Sequence, residues 1–260
     1  PFPCIFTGAC NLSPILSPLN ELRGHHRLNF VGSHIISVDQ FDRSAADRVF
    51  EVADKMQPYA MRQRITRVLQ GAILSNMFFE PSTRTRVSFG SAFNLLGGEV
   101  RETSEAKTSS LTKGESLYDT ARVLSGYSDV IVMRHPEPGS VAKFAEASRV
   151  PVINGGDGPN EHPSQALLDL YTMRTEIAAQ GQSVDGLSIA LIGDLRFGRA
   201  VHSLCKLLCL YDNIRLHLIS PPELALPSEI VGLLKNAGHE VLEYTDMADG
   251  IRGVDILYVT

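Results

Sequence analysis

The chain has 260 residues, 43% of them hydrophobic, and a formal net charge of −5, which provides apolar material for one large or two modest domains. That balance excludes a nucleic-acid surface, because gripping a phosphate backbone takes a concentrated basic face; small anions can still be held at local sites. No apolar run approaches the ~20 residues that span a bilayer, and four cysteines are too few for a disulfide framework in a chain this long, so a cytoplasmic protein with no membrane partner is expected.

Residues 1–32 are rich in Pro, Gly, Asn and Leu without steady periodicity and read as an N-terminal extension; Glu21 and the scarcity of Arg and Ser argue against a transit peptide. From His34 an Ile-Ile-Ser-Val start precedes a helical pattern through Phe41, Val49, Val52 and Met56. The run Ile73–Phe78 then predicts a buried strand. Directly after it comes Phe79-Glu80-Pro81-Ser82-Thr83-Arg84-Thr85-Arg86. Pro81 fixes a helix entry, Ser82 can act as N-cap, and the first N–H groups of the helix, with its dipole, point at an anion. Hydroxyls and guanidinium groups add directed donors, so a phosphate-binding corner is predicted here. The helix behind it places Val87, Phe89, Phe93 and Leu96 on an apolar stripe and ends at Gly97-Gly98.

Thr108–Glu115 is hydroxyl-rich and, by composition alone, an ordinary surface loop. Strands are predicted at 130–133, 150–153, 189–192, 216–219 and 254–259, separated by helical patterns. Unbroken apolar strands alternating with helices predict parallel sheets covered on both faces: an α/β fold of two doubly wound parallel-sheet domains. A helix from Gln165 to about Gln180 and the linker Gly181–Gly186 divide the sheets, giving units 33–163 and 164–260 with a boundary near Pro163. In such sheets ligands bind beyond the carboxyl ends of the strands. Arg134 stands at one of those ends, a second anion ligand by position. His162 and Gln165 lie three apart around a helix start, near enough to face one ligand. Gly193–Arg199 follows another strand but lacks the close glycines of a dinucleotide loop, so no NAD site is expected. Cys205 and Cys209 read as core thiols, without His or Cys partners at metal-ligand spacing.

The octapeptide Phe79–Arg86 resembles the phosphate-binding signature of the aspartate/ornithine carbamoyltransferase family, and the resemblance runs from about Ser33 to Thr260. Glu80 is the acidic residue typical of the aspartate side of that family, where the ornithine side usually carries a basic one. His162-Pro163-Ser164-Gln165 matches the family's His-Pro-x-Gln, which contacts the carbamoyl group. The resemblance implies that Arg199 holds the amino-acid carboxylate, while His202 and Ser203 pack or orient. It also implies that Ser110 and Lys113 reach into a neighbouring subunit's site, hence a homotrimer with shared active sites; regulatory chains are left open as further partners.

The implied reaction moves the carbamoyl group of carbamoyl phosphate to the amine of L-aspartate, a step of pyrimidine biosynthesis that takes no metal or organic cofactor. Negative charge develops on the carbonyl oxygen and on the departing phosphate, so fixed donors should carry the catalysis. Arg84, Thr85, Arg134 and His162 are the expected catalytic residues. Ser82, Thr83, Arg84, Thr85 and Arg134 would hold the phosphate with Ser110 and Lys113, and Gln165 the carbamoyl amide. No Ser or Cys is paired with a His and a carboxylate, so direct attack by the substrate amine is the simpler scheme. The sequence stops at Thr260, at the carboxyl end of a predicted strand, and the second unit is expected to be incomplete at its C-terminus. Two alternatives stay open: a silent carbamoyl-phosphate-binding subunit, and an ornithine carbamoyltransferase, the latter disfavoured by Glu80, Arg196 and Arg199.

Overall fold

The computed structural model describes residues 30–103 and 114–260. Ser110 and Lys113 lie outside the described residues. Two four-stranded sheets, all parallel, follow one another along the chain. The first holds β1 (Ile73–Phe78), β2 (Glu99–Thr103), β3 (Val130–His135) and β4 (Val152–Asp157) in the order β2-β1-β3-β4. The second holds β5 (Ser188–Ile192), β6 (Arg215–Ile219), β7 (Glu240–Tyr244) and β8 (Ile256–Val259) in the order β7-β6-β5-β8. The α/β fold is the predicted one and most strands lie close to the apolar runs, but β4 overlaps the strand predicted at 150–153 only at Val152 and Ile153 and continues through Asn154–Asp157, which by residue type reads as a turn-rich loop. The edge strands β2 and β7 are additions: their sequences, Glu-Val-Arg-Glu-Thr and Glu-Val-Leu-Glu-Tyr, have no buried residue and carry none of the apolar continuity of a buried strand.

Helices α1 (Arg43–Ala60), α2 (Thr83–Leu95), α3 (Leu117–Leu124), α4 (Ser140–Ala147), α5 (Pro163–Ala178), α6 (Arg199–Leu208), α7 (Ser228–Asn236) and α8 (Met247–Gly250) alternate with the strands. The predicted stripe on α2 is only partly realised. Phe89 and Phe93 pack on the Leu74–Phe78–Val132 cluster, whereas Val87 is 52% exposed.

The amino-terminal segment joins both halves. Ile35 bridges to Ile153 at the free edge of β4, donating to Val152 O and accepting from Asn154 N. A turn at Val38–Gln40, closed by a Ser37/Gln40 capping box, then sends α1 across to the other sheet. There Ala45, Ala46 and Phe50 share one core with Leu170 and Met173 of α5 and with β5 and α6. Arg43 clamps Asp185 with two hydrogen bonds of 2.8 and 2.6 Å, pinning α1 to the turn before β5.

Both strand orders reverse direction at one place. In the first sheet the chain leaves β1 to one side and returns across it to β3; in the second it leaves β5 towards β6 and returns to β8. Ligands bind at such reversals, outside the carboxyl ends of the strands, and here both reversals face one cleft.

Candidate active site

The cleft has a volume of about 1090 Å³ and is lined by residues 81–85 at the start of α2, Arg134 near the carboxyl end of β3, His162 and Gln165 at the start of α5, Arg199 at the start of α6 and Tyr258 on β8. The structure thus brings together every site residue expected from the sequence that lies among the described residues. α2 aims its amino end into this space. Ser82 occupies the N-cap position, but its hydroxyl makes no hydrogen bond to the helix. The sequence-based expectation of a Ser82 cap is therefore met in position only. The first N–H groups of α2 and the Ser82 hydroxyl are left to a ligand. Arg84 is exposed and has no ion pair among the described residues. Arg86 differs: it lies within 3.4 Å of Glu102, outside the cleft.

Arg134 reaches the cleft from a buried position and donates to Gly155 O at 3.3 Å. Its Nε lies 3.2 Å from Glu80 Oε2 as an ion pair but off the hydrogen-bond line, so this buried N–H lacks an aligned acceptor. The same Glu80 oxygen is 3.2 Å from Arg199 Nη1, which also donates to Gly158 O at 2.6 Å. Burial and the Arg199 charge lower the Arg134 pKa, and Glu80 works against both. Two cations are thus held close together by one carboxylate.

His162 is 6% exposed. Burial first, then the Arg134 and Arg199 charges, bring its pKa down to about 4, so the imidazole is neutral at pH 7 and offers one N–H donor. Nδ1 faces the Ser164 hydroxyl at 3.3 Å. Its backbone N–H donates to Ser203 Oγ at 3.2 Å, and Ser203 in turn donates to Glu161 Oε2 at 2.7 Å. Glu161, buried, also takes Lys206 Nζ at 2.6 Å and the Ser37 hydroxyl at 3.2 Å. From α6, Ser203 thus holds the backbone of the cleft residue His162, while His202 Nε2 lies 2.8 Å from Leu195 O, outside the cleft.

Four contributors are not marked as such by their sequence context. Glu80 serves there as a family marker, with no sign of its arginine partners. Gly156 (φ +114°) is a second: a Cβ on it would lie 3.2 Å from Arg134 Nη1 and 3.4 Å from both Arg199 Cζ and His162 Cδ2, so only glycine lets the three side chains converge. Tyr258 and Asp169 complete the set, the latter accepting from Gln165 Nε2 at 2.9 Å and Tyr258 OH at 3.0 Å. The four-residue step from Gln165 to Asp169 on a helix was the available signal. Arg196 lies outside the cleft, donating to Glu223 O and stacking on Phe197. Cys205 is fully buried, which pushes its thiol pKa up, and Cys209 donates to its carbonyl. Among the described residues no cluster of three or more His, Cys, Asp or Glu could hold a metal, and no helix is long and apolar enough to cross a membrane.

Residues 33–175 match the family profile described as aspartate/ornithine carbamoyltransferase, carbamoyl-P binding domain. The chain belongs to this family. The aspartate carbamoyltransferase catalytic subunits of Saccharophagus degradans and Cellvibrio japonicus are 67% and 66% identical to it over 233 residues, covering 90% of this chain and 69% of each relative. Among solved structures, the catalytic subunit of M. jannaschii aspartate transcarbamoylase superposes with a TM-score of 0.81 at 44% identity, covering 87% of this chain and 73% of that one. Aspartate transcarbamoylase from Trypanosoma cruzi in complex with carbamoyl phosphate and aspartate gives 0.81 at 38% identity, covering 88% and 71%. The family's carbamoyl-phosphate unit corresponds to the first sheet plus α5.

Proposed function

We propose that this chain transfers the carbamoyl group of carbamoyl phosphate to the amine of L-aspartate, giving N-carbamoyl-L-aspartate and phosphate, as an aspartate carbamoyltransferase of pyrimidine biosynthesis. The observation that carries this is the convergence on one cleft of the α2 amino end with Arg134, His162, Gln165 and Arg199. Residues 33–163 form the carbamoyl-phosphate unit and 164–260 the aspartate unit in this reading, with 1–32 an extension. The homotrimer and the cytoplasmic setting belong to the same reading; Ser110 and Lys113 would enter from the adjacent chain.

The chemistry is acyl transfer from a mixed anhydride. Ser82, Thr83, Arg84, Thr85 and Arg134 take the phosphate, whose charge grows as the C–O bond breaks. Arg134, Thr85 and the neutral imidazole of His162 donate to the carbonyl oxygen as it becomes an oxyanion, and these fixed donors need no reorganisation at that moment. Gln165 takes the carbamoyl amide, and Arg199, released from Glu80, takes a carboxylate of aspartate. The aspartate amine attacks the carbonyl carbon and the departing phosphate accepts its proton.

The test is steady-state turnover of Arg84→Ala and Arg134→Ala with aspartate and with ornithine offered separately. Loss of about 10²–10³ in kcat is expected for Arg134→Ala, the usual cost of an oxyanion donor, with aspartate as the acceptor used. Near-normal turnover in both variants, or use of ornithine alone, would overturn the assignment.

A further inference from the structure

A side-chain amide has an acceptor end and a donor end of almost the same shape, and which end faces a ligand decides what it recognises. In Gln165 the choice is made by Asp169, one turn further along α5. A carboxylate only accepts, so the end facing it must be Nε2, which donates to Asp169 Oδ1 at 2.9 Å. The other carboxylate oxygen is not idle: Tyr258 OH donates to Oδ2 at 3.0 Å from β8, the strand at which the second sheet reverses its order. With both oxygens engaged, Asp169 cannot turn away from Gln165. Gln165 Oε1 is left with no hydrogen bond among the described residues, beside a cleft whose charged walls are the cationic Arg84, Arg134 and Arg199.

We propose that Asp169 is a positioning residue that sets the direction of the Gln165 amide, so that the cleft offers a carbonyl acceptor and selects an acyl phosphate bearing N–H over one bearing a methyl group. The inference rests on the carbamoyl-phosphate reading of the site and names the residue that gives it acyl-group specificity. Tyr258 makes that selection depend on the second sheet as well as on α5. The anion corner at α2 has no part in it, because a phosphate group presents the same oxygens whatever acyl group it carries.

The experiment measures dissociation constants of carbamoyl phosphate, acetyl phosphate and inorganic phosphate for the wild-type chain, Asp169→Asn and Tyr258→Phe. Asparagine keeps the volume of aspartate but can face Gln165 with either a donor or an acceptor, so the amide is free to turn. The expected result for Asp169→Asn is a carbamoyl phosphate affinity lower by about 3- to 10-fold, the worth of one net hydrogen bond. Acetyl phosphate and inorganic phosphate should stay within about twofold, a margin well below one hydrogen bond. Tyr258→Phe should fall between wild type and Asp169→Asn, and because it changes one hydroxyl on another sheet it tests the link without altering α5. Equal weakening of all three ligands would assign Asp169 a merely structural role, and no change in any of them would remove it from the site; either result overturns the proposal. A wild-type chain that binds carbamoyl phosphate no better than inorganic phosphate would instead count against the proposed function itself.

Discussion

Glu80 Oε2 lies 3.2 Å from Arg199 Nη1, joining the loop after β1 to the first residue of α6 across 119 positions of sequence. The same carboxylate faces Arg134, so it offsets part of the charge of two guanidinium groups until a ligand anion arrives. Removing it leaves two like charges facing each other in a partly desolvated cleft. Glu80→Gln is expected to cost about 1–3 kcal/mol of stability without ligand. Saturating inorganic phosphate should restore part of that loss by supplying the missing counter-charge. Thermal or denaturant melting with and without phosphate checks this: phosphate should stabilise the variant more than the wild type, and an equal gain would refute it.

Lys206 and Glu161 make a second, more enclosed pair. The Glu161 side chain is 5% exposed and the two groups meet at 2.6 Å. Lys206→Met strands a buried carboxylate, for which about 3–5 kcal/mol is the usual cost. The double variant Lys206→Met/Glu161→Gln should recover part of this, since it removes the charge together with its partner. Urea unfolding of the single and double variants measures the coupling.

At Gly156, alanine would meet both a disfavoured backbone angle and three converging side chains. Gly156→Ala is expected to lose about 1–3 kcal/mol of stability through backbone strain. It should also lose roughly 10- to 100-fold in kcat, because displaced catalytic groups are penalised steeply. Turnover and melting on the same preparation separate the two effects.

His162 makes stability depend on pH with a definite sign. Its pKa in the fold is about 4, against about 6.5 in an unfolded chain. Between those values the unfolded state binds more protons, so stability rises with pH there. The contribution is complete above about pH 6.5 and is lost as pH falls towards 4, up to about 3 kcal/mol in all. His162→Gln should flatten the urea-midpoint profile between pH 4 and 6.5; an unchanged slope would show that the imidazole is not held neutral.

How much of this could be read from residues alone follows from what each signal encodes. Central strands such as β1 and β5 are covered on both faces and announce themselves as apolar runs. The edge strands β2 and β7 are half-solvated, so Glu99–Thr103 and Glu240–Tyr244 look like polar loops. The anion corner was legible because Pro81, the hydroxyls and Arg84 are contiguous. The Glu80 pairs were not, because Arg134 and Arg199 come from distant parts of the chain and only the strand order places them together. Gly156 escaped for a related reason: glycine in a Gly-Gly-Asp-Gly turn reads as turn chemistry, and its neighbours from β3 and α6 are set by tertiary structure.

The placement of α1 has a consequence for how the chain reaches this structure. A ribosome finishes Ala45, Ala46 and Phe50 long before it makes α5, β5 and α6, which enclose them. Until then that helix has nowhere to bury its apolar side. The second nucleus is therefore closed late, by a piece synthesised early, and the contacts that close it span well over a hundred residues. Such long-range closure slows folding and lengthens the time during which greasy surface is open to aggregation. A fragment beginning at residue 164 would lack the lid of its own interior.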